Sequence, residues 1–172
     1  MKAYSAVGKF ASIAFATLIL AACSGTKTSS DADAAAAAAS DAAAAEQAAA
    51  SAAAEQRQKE AAAEAVGNVF YFEFDSSALT DEARASVDAH VAAMVGNNHS
   101  IRLEGHTDER GTREYNLALG ERRANAVRDY MVANGVPSYR IETVSYGEED
   151  PAALGSGESS WKQNRRVVLK HR

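Results

Sequence analysis

Among its 172 residues the chain has one cysteine, Cys23, two prolines and one tryptophan. A lone cysteine excludes an intrachain disulfide and leaves no thiol cluster for a structural zinc. The four histidines, His90, His99, His106 and His171, include no i,i+4 pair with a third ligand, so no metal centre is expected. A formal net charge of −5 lacks the basic footprint that a nucleic-acid partner requires. No GxSxG, HExxH or activated-cysteine pattern occurs, so neither an enzyme nor a cofactor is expected. Glu104, Asp108 and Glu109 are the acid–base groups a hydrolase would have to use, and only their proximity in sequence suggests it. No apolar run is long enough to span a bilayer as a helix.

What the chain does have begins at its N-terminus. Lys2 and Lys9 precede an apolar stretch, Phe10–Leu20, that ends in Leu20-Ala21-Ala22-Cys23. Charge, apolar core and small residues in that order read as a secretory leader over residues 1–22, removed on export. The last four resemble the bacterial lipobox, in which the thiol is acylated and the chain is cut just before it. Cys23 is therefore the expected lipidation site, and two or more acyl chains would make a stable anchor. In that class of protein the next residue sorts the product, and Ser24 implies the outer membrane, with the rest of the chain in the periplasm.

Residues 23–65 read as a tether. Between Asp31 and Ala65, 21 of 35 residues are alanine. The segment has little to bury and cannot build a core of its own. Alanine is also the best helix former, so a coil and a solitary, fraying helix both fit. No apolar stripe at helical spacing suggests a coiled coil.

The folded domain is expected over residues 66–172. Val69–Phe74 is rich in aromatic strand formers. Thr80 should cap a helix whose first turn holds Asp81 and Glu82 and whose stripe is Ala83, Val87, Val91 and Met94. Ile101 and Leu103 alternate with Arg102 and Glu104 as in a half-buried strand. Thr112 should cap a second helix, with Leu117, Ala124, Val127 and Met131 on its core face, ending at Asn134-Gly135. Ile141–Tyr146 and Arg166–Leu169 complete the strands, with one helical turn expected near Ser159–Gln163. Trp161 is expected to cover a core edge. The order β-α-β-α-β-β with short links implies an α+β domain, two helices on one face of a mixed four-stranded sheet.

One stretch, Ile101–Met131, gathers the polar residues. The strand end, the loop from Gly105 to Gly111 and the first turns of the next helix should bring Thr107, Asp108, Asn116 and Arg123 together. Asn116 and Arg123 lie two helical turns apart on one face, roughly 10 Å along the axis, with Gly120 between them leaving room for a close approach to the backbone. A carboxylate and a guanidinium beside one cleft would suit a ligand carrying both an ammonium and a carboxylate. Spacing alone leaves a second reading open: Asp108 capping its own loop, and Arg123 on a solvated face or in an internal ion pair.

The segments GHTDERGTREYNLALGERRANAV, VSYGEEDPAALG and NRRVVL closely resemble the peptidoglycan-associated lipoproteins of the Tol–Pal system and, more broadly, the OmpA-like peptidoglycan-binding domain. The resemblance runs from about Val69 to Leu169. It implies that Asp108 holds the ammonium and Arg123 the carboxylate of diaminopimelate in the wall stem peptide, with Asp75, Asn116 and Arg165 bordering the pocket. It also implies peptidoglycan as ligand, TolB and other Tol components as partners, and a part in envelope integrity and cell division. An OmpA-like wall anchor without a Tol partner is the neighbouring alternative, and a wall-remodelling enzyme using Glu104, Asp108 or Glu109 is the alternative from another class.

Overall fold

The computed structural model describes residues 29–172, with side chains from position 36 onward; the expected leader and Cys23 lie outside the described residues. The alanine tract forms one helix, α1, over Ser29–Val66. Residues Ala45–Arg172 are one compact unit, which holds the later turns of α1 and every element that follows. These are β1 (Val69–Tyr71), α2 (Asp81–Val95), β2 (Ile101–His106), α3 (Arg113–Ala133), a 3-10 turn at Ser138–Arg140, β3 (Ile141–Gly147), α4 (Glu158–Asn164) and β4 (Arg166–His171).

The strands form one sheet in the order β1-β4-β2-β3. β4 runs antiparallel to both β1 and β2, whereas β2 and β3 are parallel, because α3 carries the chain back between them. The expected α+β architecture is the one observed. Val87, Val91 and Met94 of α2 and Ala124, Val127 and Met131 of α3 pack with Phe70, Ile101, Leu103, Val167 and Leu169 of the sheet. Both predicted caps form: Thr80 Oγ1 accepts from Ala83 N at 3.1 Å and Thr112 Oγ1 from Tyr115 N at 3.2 Å.

Three local expectations need correction. β1 stops at Tyr71 rather than Phe74; beyond it only Phe72 N still bonds to Arg165 O, and Phe74 turns out to solvent. Leu117 is 47% exposed, and Leu119 is the buried leucine of the first turns of α3. There the end of β3 abuts the helix backbone, with Ser145 Oγ donating to Leu117 O at 2.6 Å, so no apolar surface lies under Leu117. The room beside Gly120 is filled by the chain itself: a methyl group at Gly105 would overlap the Gly120 carbonyl, and one at Gly120 would collide with Ser145. This crossing of two glycine backbones sets how closely α3 lies on β2.

β2 ends at His106, whose ring is 1% exposed and stacks on Tyr146 at 5.5 Å. Neither ring nitrogen has a hydrogen-bond partner within the protein; the Asp150 carboxylate is 4.0 Å away. Burial, with the Arg166 charge nearby, pushes the imidazole down to about 4 against the pull of Asp150 and Glu104. His106 is therefore neutral in the folded domain at neutral pH.

Two outcomes follow for stability. Gly105→Ala should lose about 2–3 kcal/mol in urea denaturation, because backbone rather than a flexible side chain must give way. For His106, the folded group titrates below its unfolded value of 6.5, so its contribution is complete above about 6.5 and is lost as pH falls towards about 4. The loss amounts to at most about 3 kcal/mol. Denaturation curves at pH 7 and pH 4.5 should show His106→Phe losing less stability between the two than the parent does. Equal losses would mean that the ring is not buried neutral.

Candidate functional site

A cleft of about 230 Å³ opens where the segment after β1, the β2–α3 loop and the first turns of α3 meet. Its floor is Arg123, fully buried. The Arg123 guanidinium donates from Nε to Ser76 O at 2.8 Å, from Nη1 to His106 O at 2.9 Å and from Nη2 to Glu73 O at 3.1 Å. Five N–H groups on that side chain leave two uncommitted. Burial pushes the group down to about 10, with Asp108 pulling the other way, so it stays charged at neutral pH.

Asp108 stands on the loop at the cleft wall and is 4% exposed. Its Oδ1 accepts from the Arg110 backbone N–H at 3.1 Å and from Arg110 Nε at 3.1 Å, while Arg110 Nη2 reaches Oδ2 at 2.7 Å. Arg165 Nη1 lies 3.5 Å from the same Oδ2. Burial alone would raise this carboxyl, but the hydrogen bonds and charge of Arg110, with Arg165 behind, outweigh it and hold it below its ordinary value. Asp108 thus caps its own loop, as one of the two readings expected, and also lines the cleft as a carboxylate.

The other expected residues fall in two groups. Thr107, Asp75 and Asn116 line the cleft beside Asp108 and Arg123. Thr107 Oγ1 is buried with no hydrogen-bond partner in the protein. Asp75 has φ of 52°, the one non-glycine residue among those described with positive φ. A backbone held there at a cost of order 1 kcal/mol is typical of functional sites. Its carboxylate accepts from Tyr115 Oη, and the Asn116 amide donates to Glu148. Arg165 is not on the cleft surface. It sits behind Asp108, donating to Phe72 O at 3.0 Å and to Glu158 at 2.6 Å, where it fixes the carboxylate from the rear.

Sequence reasoning missed Arg110. Its guanidinium carbon lies 3.9 Å from the Phe74 ring centre and 4.0 Å from that of Trp161, clamped between two aromatic faces. It is 31% exposed at the cleft mouth. Trp161, expected over a core edge, is instead half of that clamp, and its Nε1 donates to Glu109 at 3.2 Å. An Asp-x-Arg turn between two glycines was the available signal, since such a turn pairs its own charges locally. The three carboxylates weighed for acid–base chemistry diverge: Glu104 pairs with Lys170 at 2.8 Å, Glu109 is taken by Trp161, and Asp108 alone faces the cleft. Among the described residues no group of three metal-binding side chains occurs, and no helix is long and apolar enough to cross a membrane.

Residues 71–165 match the sequence profile of the OmpA family. A peptidoglycan-associated lipoprotein of Pseudomonas aeruginosa is 48% identical over 163 residues, covering 95% of this chain and 96% of that protein; one from Pseudomonas putida is 47% identical over the same span. In three dimensions the crystal structure of the peptidoglycan-associated lipoprotein from Burkholderia pseudomallei superposes with a TM-score of 0.60 at 44% identity, over 61% of this chain and 90% of that one. The C-terminal domain of Helicobacter pylori MotB shares the fold at 21% identity with a TM-score of 0.56. On profile, relatives and architecture together, the chain belongs to the OmpA family, among the peptidoglycan-associated lipoproteins.

Proposed function

We propose that the cleft binds the stem peptide of peptidoglycan by its diaminopimelate side chain, and that the protein links the outer membrane to the wall without catalysis. The observation that carries this reading is one cleft holding an ionised carboxylate, Asp108, together with two guanidinium groups, Arg110 and Arg123. A ligand end bearing both an ammonium and a carboxylate complements that set. Asp108 takes the ammonium. The uncommitted N–H groups of Arg123 at the floor and the clamped Arg110 at the mouth take the carboxylate. Asp75, Thr107 and Asn116 set the rim, and Arg165 keeps Asp108 aimed.

Lipid on Cys23 would hold the other end in the outer membrane, leaving the domain in the periplasm. Many such anchors on one polymer give a firm hold from individually modest affinities. The likeness to the Tol–Pal lipoproteins extends the proposal to TolB as a partner that competes for the same face, to other Tol components as partners, and to a role in envelope integrity and constriction at division. Reversible, non-covalent binding is what such competition needs.

Calorimetric titration of the chain from Ser24 onward with a diaminopimelate-containing wall peptide tests the site. The parent should bind, and Asp108→Asn and Arg110→Ala should each weaken binding at least about tenfold, or 1.4 kcal/mol, with the fold retained by circular dichroism. Binding by both variants at parental strength would remove these residues from the site, and no binding by the parent would defeat the wall-anchor reading.

A further inference from the structure

The alanine helix has almost no apolar face, yet its last turns are not free. Within the compact unit, Gln56 Nε2 donates to Ala93 O at 2.8 Å, and Asn97 Nδ2 donates to Glu60 Oε1 at 3.1 Å. Gln56 and Glu60 also bond to each other at 2.8 Å, one turn apart. Ala63, one turn further, is 5% exposed, in contrast to its neighbours Ala61 and Ala62, which are exposed. The helix ends at Gly67, where φ is +74° and the carbonyl meets His90 Nε2 at 2.9 Å. A methyl group at Gly96 would have to push aside the Gln56 amide, which lies against that glycine.

The seat is also incomplete. A cleft of about 570 Å³ lies beside it, lined by Glu60 and Glu64 of α1 and by His90, Met94 and Asn97 of the domain. A contact made of one buried alanine and a few polar bonds, next to a cleft, has little packing to lose when it opens.

We propose that Gln56–Val66 is a releasable strap, docked on the C-terminal end of α2, that sets how far the domain stands from its anchor. Seated, these eleven residues add no reach. Released as helix they add roughly 16 Å, and drawn out fully they add roughly 37 Å, while the sheet and the Asp108 cleft stay intact. Tension between wall and membrane would lift the strap before it unfolds the domain. The docking is separate from the wall-binding cleft, since none of its residues borders it, while the load that would lift the strap rests on the wall-anchor reading.

Amide hydrogen exchange on the chain from Ser24 to Arg172 tests it. In the parent, amides of Gln56–Val66 should be at least tenfold better protected than those of Ala45–Ala54, the reverse of what an end-fraying helix would show. Ala63→Lys should erase that difference while the domain's melting temperature and peptide binding hold. Ala62→Lys, with the same helix propensity cost on the exposed side, should keep it, and Gly96→Ala should weaken it by displacing Gln56. Equal protection of the two stretches in the parent, or protection unchanged by Ala63→Lys, would overturn the proposal. Collapse of the whole domain in Ala63→Lys would overturn it as well, since the strap would then be part of the fold.

Discussion

The site depends on one buried cation. Arg123 ties three backbone carbonyls from two segments far apart in sequence, Glu73 and Ser76 after β1 and His106 at the end of β2. Carbonyls converging in this way would be unsatisfied without a donor, and a guanidinium with no polar partners could not be buried. Each requirement answers the other. The result is that the irregular Glu73–Ser76 segment, including Asp75 with its positive φ, is held against α3 and the β2–α3 loop, and the cleft exists because these three are pinned together.

Around that floor the charges are arranged in sequence rather than scattered. Arg165 fixes Asp108 from behind, Arg110 meets it from the front, and Phe74 and Trp161 clamp Arg110 in turn. With Arg123 below, Asp108 stands among three guanidinium groups, with Glu158 against Arg165 and Arg110 and Asp75 on the same cleft wall. Partial burial makes these charges interact more strongly than they would in water. Charges of both signs therefore stand within one small cleft, and on the proposed reading that suits a ligand end bringing a carboxylate as well as an ammonium.

Much of the fold was legible because its signals are local. The caps at Thr80 and Thr112, the apolar stripe of α2 and the glycine-bounded loop all act over a few residues and appear where their physics places them, whereas β2 departs from the expected alternation, with Glu104 buried as well as Ile101 and Leu103. The misreadings are tertiary. Nothing in the spacing of α3 tells that the end of β3 presses against the backbone at Leu117, or that the room at Gly120 is taken by Gly105. Arg123 could be assigned to the site from the family motif, but its bonds to Glu73 and Ser76 span about fifty residues and have no sequence signature. Arg110 and Trp161 escaped for the same reason: a cation held between two aromatic rings is visible only when distant segments meet. The alanine tract shows the converse, since high helix propensity correctly allowed α1 but could not show that Ala63 has a seat.

The central claim is that Arg123 organises the cleft through the backbone, and the denaturation free energy of Arg123→Gln at neutral pH tests it most directly. If the guanidinium holds three otherwise unsatisfied carbonyls, the substitution should cost on the order of 3 kcal/mol or more. A variant as stable as the parent would contradict the account, and Arg123 would then be a ligand contact that the fold does not need.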